Sequence, residues 1–368
     1  MAKPTVYDVA ARARVSIATV SRVLRRPDLV KDSTKEQVLA AVRALGYVPS
    51  ASARGLAGRT TGVIGLYLPA IDGVDEALDV VDGDAPAVAR VVRDIPDSGA
   101  SRVRDLYYDE VLRGAQLEAW RQGFVLTIGV GHGADPERMV RDMAGRVDGL
   151  LIVARSVPEE LLGQLSGSIP IVLIAGPRHG DSFDHVGVAN AEGMRALTAH
   201  LVSNLGVRDP VYVFGPEGSP DDAERYAGFV AALADAGVDA SALRTLRGDF
   251  RRESGRAVAS SLIAAGGALP RALVCGNDQM ALGVLDVFGA SGVCVPSDVL
   301  VSGFDGIEET RLSSPRLTTV RQPMEELGRA AVRAMVDRLD APDGAPISRR
   351  LPVEVLLRES TESSANAT

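Results

Sequence analysis

The residues best equipped to grip another molecule stand close to the N-terminus. Within residues 5–25, TVYDVAARARVSIATVSRVLR, three hydroxyl side chains (Ser16, Thr19 and Ser21) and the guanidinium of Arg22 share one short segment. The stretch reads as two short helices joined by a tight turn. That is the layout of a helix-turn-helix, whose second helix enters the major groove of DNA. A second polar group lies far down the chain, after apolar runs. Asn277 and Asp278 follow ALVCG, Asp305 follows VLVSGF, Gln322 comes just after LTTV, and Arg225 lies at a helix start after VYVFGPEGSPDDAE. Ligands of open α/β sheets bind beyond the carboxyl ends of the strands, so these positions predict a small-molecule site.

The elements that must carry these residues are legible in the pattern. Thr5 with Asp8 forms a capping-box signature for a first helix, whose apolar face is Val6, Val9, Ala10 and Ala13. Ser16 caps a second helix, with Val20, Val23 and Leu24 turned inward. Ser33 with Glu36 is a second capping box, followed by Val38, Leu39, Val42 and Leu45 at helical period and by Gly46 as a terminator. From about residue 62 the pattern changes. TGVIGLYLP, GFVLTIGV, VDGLLIVA and IPIVLIAG, then PVYVFG, ALVCGND and VLVSGFD, are short apolar runs separated by helical stretches. Such alternation predicts parallel strands with crossover helices, here in two similar α/β halves with a cleft between them.

Charge divides the chain at the same place. Residues 1–60 hold 11 Lys+Arg against 4 Asp+Glu, a net of +7, whereas the remainder holds 29 against 44, a net of −15. A basic head can neutralise phosphates while an acidic body stays off DNA. Two cysteines without metal spacing, Cys275 and Cys294, indicate neither a disulfide framework nor a zinc site and suit a reducing cytoplasm. No signal peptide and no membrane-length apolar run is present, so a cytoplasmic, nucleoid-associated protein without a membrane role is expected. Four scattered histidines and no Ser-His-Asp or paired-acid set speak against an enzyme. GVGHG at 129–133 lacks the full dinucleotide fingerprint. No catalytic residue, cofactor or metal is therefore expected. The C-terminal ESTESSANAT is a polar tail without leucine heptads, so no terminal coiled coil is expected.

The runs YDVAARARVSIATVSRVL, GYVPSASARGLAG, NDQMALG and SGFDG, in this order, resemble the LacI/GalR (lac-repressor) family of bacterial transcriptional regulators. The resemblance spans nearly the whole chain. It implies an all-α helix-turn-helix head (1–49), a hinge helix or linker (50–60) and an effector-binding and dimerisation core (61–361), ending in a tail at 362–368. The core is implied to be periplasmic-binding-protein-like, with two parallel-sheet subdomains. Their bounds are about 62–189 with 322–351, and about 190–321 with 352–361. One departure falls in the head, where Arg14 takes a turn position at which the family usually has glycine.

Carried over by position, the resemblance implies a homodimer on a near-palindromic double-stranded operator. Ile17, Ala18 and Arg22 would face base edges, with Arg22 the guanine reader and the two apolar residues limited to contacts such as a thymine methyl. Ser16, Thr19 and Ser21 would serve the DNA backbone, and Thr5 and Tyr7 would also contact DNA. In the hinge, Leu56, flanked by Ala53 and Ala57, matches a side chain wedged into the minor groove. Arg225, Asn277 and Asp305 match the effector pocket, with Phe250 as a stacking surface and Gln322 nearby.

The implied effector is a carbohydrate or related metabolite, and its sign, inducer or corepressor, stays open. Ala175 stands where many relatives place an aspartate, and Ala154 and Arg155 replace a small polar pair. With Arg178 and His179, Arg155 leaves a nucleobase or an anionic metabolite as the alternative. A solute-binding protein would share the body but would need neither the basic head nor the lack of an export signal. Residues 72–104 are an insertion before the helix DLYYDEVLRGAQLEAW, with eight acidic and four basic residues and one apolar patch. They read as a solvated loop and a candidate lid over the cleft.

Overall fold

The computed structural model describes residues 5–25, 30–45, 60–69, 91, 106–131, 136–176 and 181–362. The chain divides into two units, Met1–Gly62 and Val63–Thr368. Several expectations lie outside the described residues: Gly46, the Leu24 side chain, the hinge residues Ala53, Leu56 and Ala57, nearly all of the 72–104 insertion, Arg178 and His179, and the tail from 363 on.

The first unit holds α1 (Val6–Arg12), α2 (Ile17–Arg25) and α3 (Asp32–Leu45). The Thr5 hydroxyl accepts from the Asp8 N–H, and the Asp8 carboxylate accepts from the Thr5 N–H at 2.7 Å, so α1 starts on a complete capping box. Ser16 Oγ accepts from the Thr19 N–H at 3.1 Å and opens α2. The third helix departs from the sequence pattern. The Lys31 carbonyl accepts from the N–H groups of Thr34 and Lys35, so α3 starts at Asp32 and Ser33 lies inside its first turn. Between α1 and α2 the backbone of Arg14 is left-handed, φ 51°. The turn keeps a glycine-type conformation although its residue carries a Cβ. Val9, Ala10, Ala13, Val20, Val23, Val38 and Ala41 close the small core.

The second unit is built on two six-stranded sheets. The first contains β1 (Val63–Leu68), β2 (Val125–Val130), β3 (Gly149–Val153), β4 (Ile171–Ile174), β5 (Asp184–Val188) and a late strand, β11 (Ser348–Leu351). The second contains β6 (Pro210–Phe214), β7 (Thr245–Arg247), β8 (Ala272–Cys275), β9 (Leu300–Asp305), β10 (Thr318–Arg321) and β12 (Glu354–Leu356). The orders are β11-β5-β4-β3-β1-β2 and β12-β10-β9-β8-β6-β7. Every pairing is parallel except β10 with the edge strand β12. β3, β4, β5, β8 and β9 are buried along their whole length, which is why GLLIV, IVLI and ALVC read as unbroken apolar runs and not as alternating ones.

Helices cover both faces: α4 (Leu106–Arg121), α5 (Pro136–Ala144), α6 (Glu159–Ser166), α7 (Asn190–Ala199), α8 (Pro220–Asp235), α9 (Arg252–Ala264), α10 (Asp278–Ala290), the short α11 (Glu309–Leu312) and α12 (Met324–Asp340). The α4–α12 contact depends on two glycines. A Cβ on Gly114 would stand 1.8 Å from the Glu325 carbonyl oxygen, and one on Gly328 would stand 2.0 Å from that of Val111. The chain passes between the sheets after β5, after β10 and after β11. In each sheet the strand order reverses beside the first strand of its half, β1 or β6, and such reversals open a crevice at the strands' carboxyl ends.

Candidate functional site

Two surfaces carry the chemistry. On the head, Val20 and Val23 are buried, and the remaining faces of α2 point outward. Ser16, Ala18 and Arg22 are exposed, Ile17 is 40% exposed, and Thr19 and Ser21 are half-buried. Tyr7 on α1 is 68% exposed. The hydroxyls of Thr5 and Ser16 are already engaged as helix caps, and Ser16 Oγ also meets Thr19 Oγ1 at 2.9 Å. Among the described side chains of this helix, Arg22 and Ile17 are the larger outward ones, one able to fork onto a base and one apolar.

In the body, a cavity of about 510 Å³ lies where the carboxyl ends of the two sheets meet. Loops after β1, β3 and β4 give it Pro69, Arg155 and Ala175. Segments after β6 and β8 give it Asp221 and Asn277, and β9 ends on Asp305. The start of α4 adds Tyr107 and Tyr108, and Phe250 closes another wall. Among the described residues, five non-glycine positions have a left-handed backbone: Arg14, Arg155 (φ 63°), Ala175 (64°), Phe250 (73°) and Asp305 (133°). The last four all line this cavity. Each such residue costs of order 1–3 kcal/mol and persists only where its surroundings impose it.

Arg225 is the electrostatic centre. It lies in the second turn of α8 and is 5% exposed. Its Nε donates to Asn190 Oδ1 at 2.9 Å and one terminal nitrogen donates to the Gly276 carbonyl at 2.7 Å. The same nitrogen stands 3.6 Å from Asp305 Oδ1, and the guanidinium sits 3.9 Å from the Phe304 ring centre. Burial works against its charge, but Asp305 and Asp221 outweigh that and hold its pKa above the ordinary arginine value. Loss of water, then the Asp221 charge, pushes the Tyr107 hydroxyl well above its usual range, so it faces the cavity as a neutral phenol.

Asn277 does two jobs at once. Its Oδ1 accepts from the Met280 N–H at 3.0 Å and caps α10, while its Nδ2 donates to the Phe250 carbonyl at 2.9 Å and fixes that wall. The cap of α10 is therefore Asn277. Asp278 is the first residue of the helix. It is fully buried and accepts from Gly306 N–H (2.6 Å), Ile307 N–H (3.0 Å) and Thr319 Oγ1 (2.6 Å). Gln322 is not part of the lining. It is 3% exposed and stands behind Asp305.

Sequence reasoning passed over Asp221, Asn190, Tyr107 and Tyr108. Asp221 looked like an ordinary acid in a helix start, and Asn190 like a residue of the crossover. The paired tyrosines were visible only as an aromatic helix start.

Among the described residues, no helix is long and apolar enough to cross a membrane, and no three His, Cys, Asp or Glu side chains group as metal ligands would.

A helix-turn-helix head joined to a two-sheet body with a polar cleft is the architecture of a DNA-binding transcription regulator. Comparison with known proteins agrees. Residues 5–50 match the model of bacterial regulatory proteins, lacI family, and residues 198–361 match the periplasmic binding protein-like domain. The HTH-type transcriptional repressor PurR of Erwinia tasmaniensis is 31% identical over 341 residues, covering 91% of this chain and 90% of its own. That of Pectobacterium atrosepticum is 32% identical over 341 residues with the same coverage. Among solved structures, the transcriptional regulator CelR–cellobiose complex superposes with a TM-score of 0.67 at 28% identity, covering 97% of this chain and 99% of that one. The lac repressor dimer bound to operator and the anti-inducer ONPF has the same fold, with a TM-score of 0.77 at 24% identity over 98% and 100% of the two chains. This chain belongs to the lacI family of bacterial regulatory proteins.

Proposed function

We propose that the protein is a sequence-specific repressor that binds a near-palindromic operator as a homodimer in the cytoplasm, and that a small molecule in the cleft switches its operator affinity. The observation that carries the switch is the gathering of left-handed backbone at Arg155, Ala175, Phe250 and Asp305 around one cavity. Strain of this kind marks a preorganised site, and the inference runs from the outlier to the function.

In this reading α2 lies in the major groove. Arg22 reads guanine, Ile17 and Ala18 make apolar base contacts, and Thr5, Tyr7, Ser16, Thr19 and Ser21 serve the phosphates. The head is assigned to residues 1–49 and a hinge to 50–60, with Ala53, Leu56 and Ala57 at the minor groove. The names of the curated relatives support the repressor assignment. The dimer is supported by apolar surface around the edge of the first sheet. Trp120 (79% exposed) and Leu117 lie on α4, and Val125 (60%) and Ile128 lie on β2, the edge strand of the first sheet. An apolar edge exposed among the described residues invites a second copy.

The effector is a carbohydrate in the favoured reading. Arg225, Asp305 and Asp221 supply paired charged partners for hydroxyl groups, and the CelR relative was solved with cellobiose. A planar heterocycle is the second reading, favoured by the aromatic walls Tyr107, Tyr108 and Phe250. Selecting bound sequences from random duplexes, then screening sugars and nucleobases for displacement, tests both levels. Absence of any preferred duplex would remove the proposal.

A further inference from the structure

Asp221 stands at the N-terminal end of α8, on the second-sheet half of the body, yet it reaches across the cavity. The N–H of Gly176, which follows β4 of the first sheet, donates to both Asp221 carboxylate oxygens, at 3.0 and 3.2 Å. The approach is close. A Cβ on Gly176 would stand 3.0 Å from Ala154 Cβ and 3.4 Å from Pro220 Cγ, and Gly176 has φ 75°. Asn190, 1% exposed at the passage between the sheets, then binds in two directions. Its Nδ2 donates to Asp221 Oδ1 at 2.8 Å and to Glu224 Oε2 at 3.1 Å, while its Oδ1 accepts from Arg225 Nε at 2.9 Å.

We propose that Asp221 is a latch that sets the opening of the cleft through the Gly176 amide, and that Asn190 is the positioning residue tying this latch to Arg225. The inference rests on the reading of the cavity as the effector site and adds the device that fixes its geometry. The path runs without a gap: Gly176 of the first half, Asp221, Asn190 at the first passage, Arg225, Asp305, and Gln322 at the second passage. Two of the three passages between the sheets, those after β5 and β10, are thereby bonded to the side chains that face the cavity. A latch made of one charged acceptor and one amide is a two-state element, closed when bonded and open when not. Because the acceptor is ionised, its bond is stronger than a neutral one.

The test uses the full-length protein without DNA or small molecule, so its result does not depend on the operator or the effector being found. Hydrogen exchange followed by mass spectrometry and small-angle scattering are recorded for wild type, Asp221→Ala, Asp221→Asn, Gly176→Ala and Asn190→Ala. Loss of a bond to a charged acceptor should speed exchange of the 171–176 segment roughly ten- to hundredfold in Asp221→Ala. Segments 153–156 and 216–220 on opposite walls should lose protection with it, and the radius of gyration should grow. Gly176→Ala should open the cleft by steric wedging while leaving the acid intact. Asp221→Asn keeps one oxygen for Gly176 but loses the charge and the second acceptor, and should fall between wild type and Asp221→Ala. Asn190→Ala should expose the start of α8. If Asp221→Ala or Gly176→Ala folds and leaves the walls protected at unchanged radius, Asp221 is a local cap and the latch is wrong. A wild-type result for Asn190→Ala would remove the positioning role.

Discussion

Gln322 grips Asp305 twice: its Nε2 donates to Asp305 Oδ1 at 2.7 Å, and its backbone N–H donates to the Asp305 carbonyl at 2.9 Å. A residue at the passage from β10 to α12 thus fixes both the side chain and the left-handed backbone of a cavity residue. Gln322 acts behind the wall and not in it. Gln322→Ala should destabilise the body by about 1–3 kcal/mol, because Asp305 loses a donor in a buried setting. Chemical denaturation measures this, and an unchanged midpoint would show that Asp305 does not need the brace.

Arg225→Ala should keep operator binding and lose the response to effector. The head and the cleft lie in separate units, so removing a cavity cation leaves the exposed side chains of α2 in place. The variant also leaves Asp305 buried without its ion-pair partner and should be less stable for that reason. Binding to a selected duplex, with and without the displacing metabolite, separates the two effects. A normal response would take Arg225 out of the site.

The fold was legible because its signals are local. Parallel strands buried on both faces leave unbroken runs such as LLIV and IVLI, and the caps at Thr5 and Ser16 act within three residues. The cavity was half legible. Asn277 and Asp305 carry a polar type at a strand end, Arg225 lies near a helix start, and Phe250 is implied by the resemblance alone. The linkage among Gly176, Asp221 and Asn190 joins residues 31 and 45 apart in sequence, and no local pattern encodes such a pairing. Ser33 shows the opposite failure. It offers a capping signature that the structure assigns to a neighbour, because the backbone closes on Lys31.

Arg22→Ala should cost about 1–3 kcal/mol against the preferred duplex and flatten its discrimination among sequences. The side chain is exposed on α2 and makes no contact that the core requires, so the loss would come from DNA alone. Competition between the selected and a scrambled duplex reads this directly. A variant that keeps the full preference would assign specificity to another residue.

Arg14→Gly should stabilise the head by about 0.5 kcal/mol. A left-handed residue with a Cβ costs about 1–2 kcal/mol, and glycine returns part of that as extra freedom in the unfolded chain. Amide hydrogen exchange of residues 6–25 in the full chain measures the difference. A clear loss of stability would mean that the Arg14 side chain has a role beyond the turn.

Asp278 gives the body a pH signature whose sign follows from its burial. Loss of water raises its pKa from 3.8 to about 6, against the lowering effect of the Thr319, Gly306 and Ile307 bonds. The folded chain therefore holds this proton more tightly than the unfolded chain. The stabilisation from this group is fully present below about pH 3.8 and is lost as the pH rises to about 6, beyond which it is constant. Asp278→Asn removes the titration while keeping the contacts. Its carbonyl oxygen can accept from Gly306 and Ile307, and its amide can donate to a reoriented Thr319 hydroxyl. Other carboxylates, such as Asp286 and Glu359, have lowered pKa values and run the opposite way, so the difference between variant and wild type is the quantity to follow. Urea unfolding across this range should show the variant gaining on wild type between about pH 4 and 6 and then holding a constant offset. Parallel curves would mean that Asp278 is ionised throughout, with its three donors outweighing its burial.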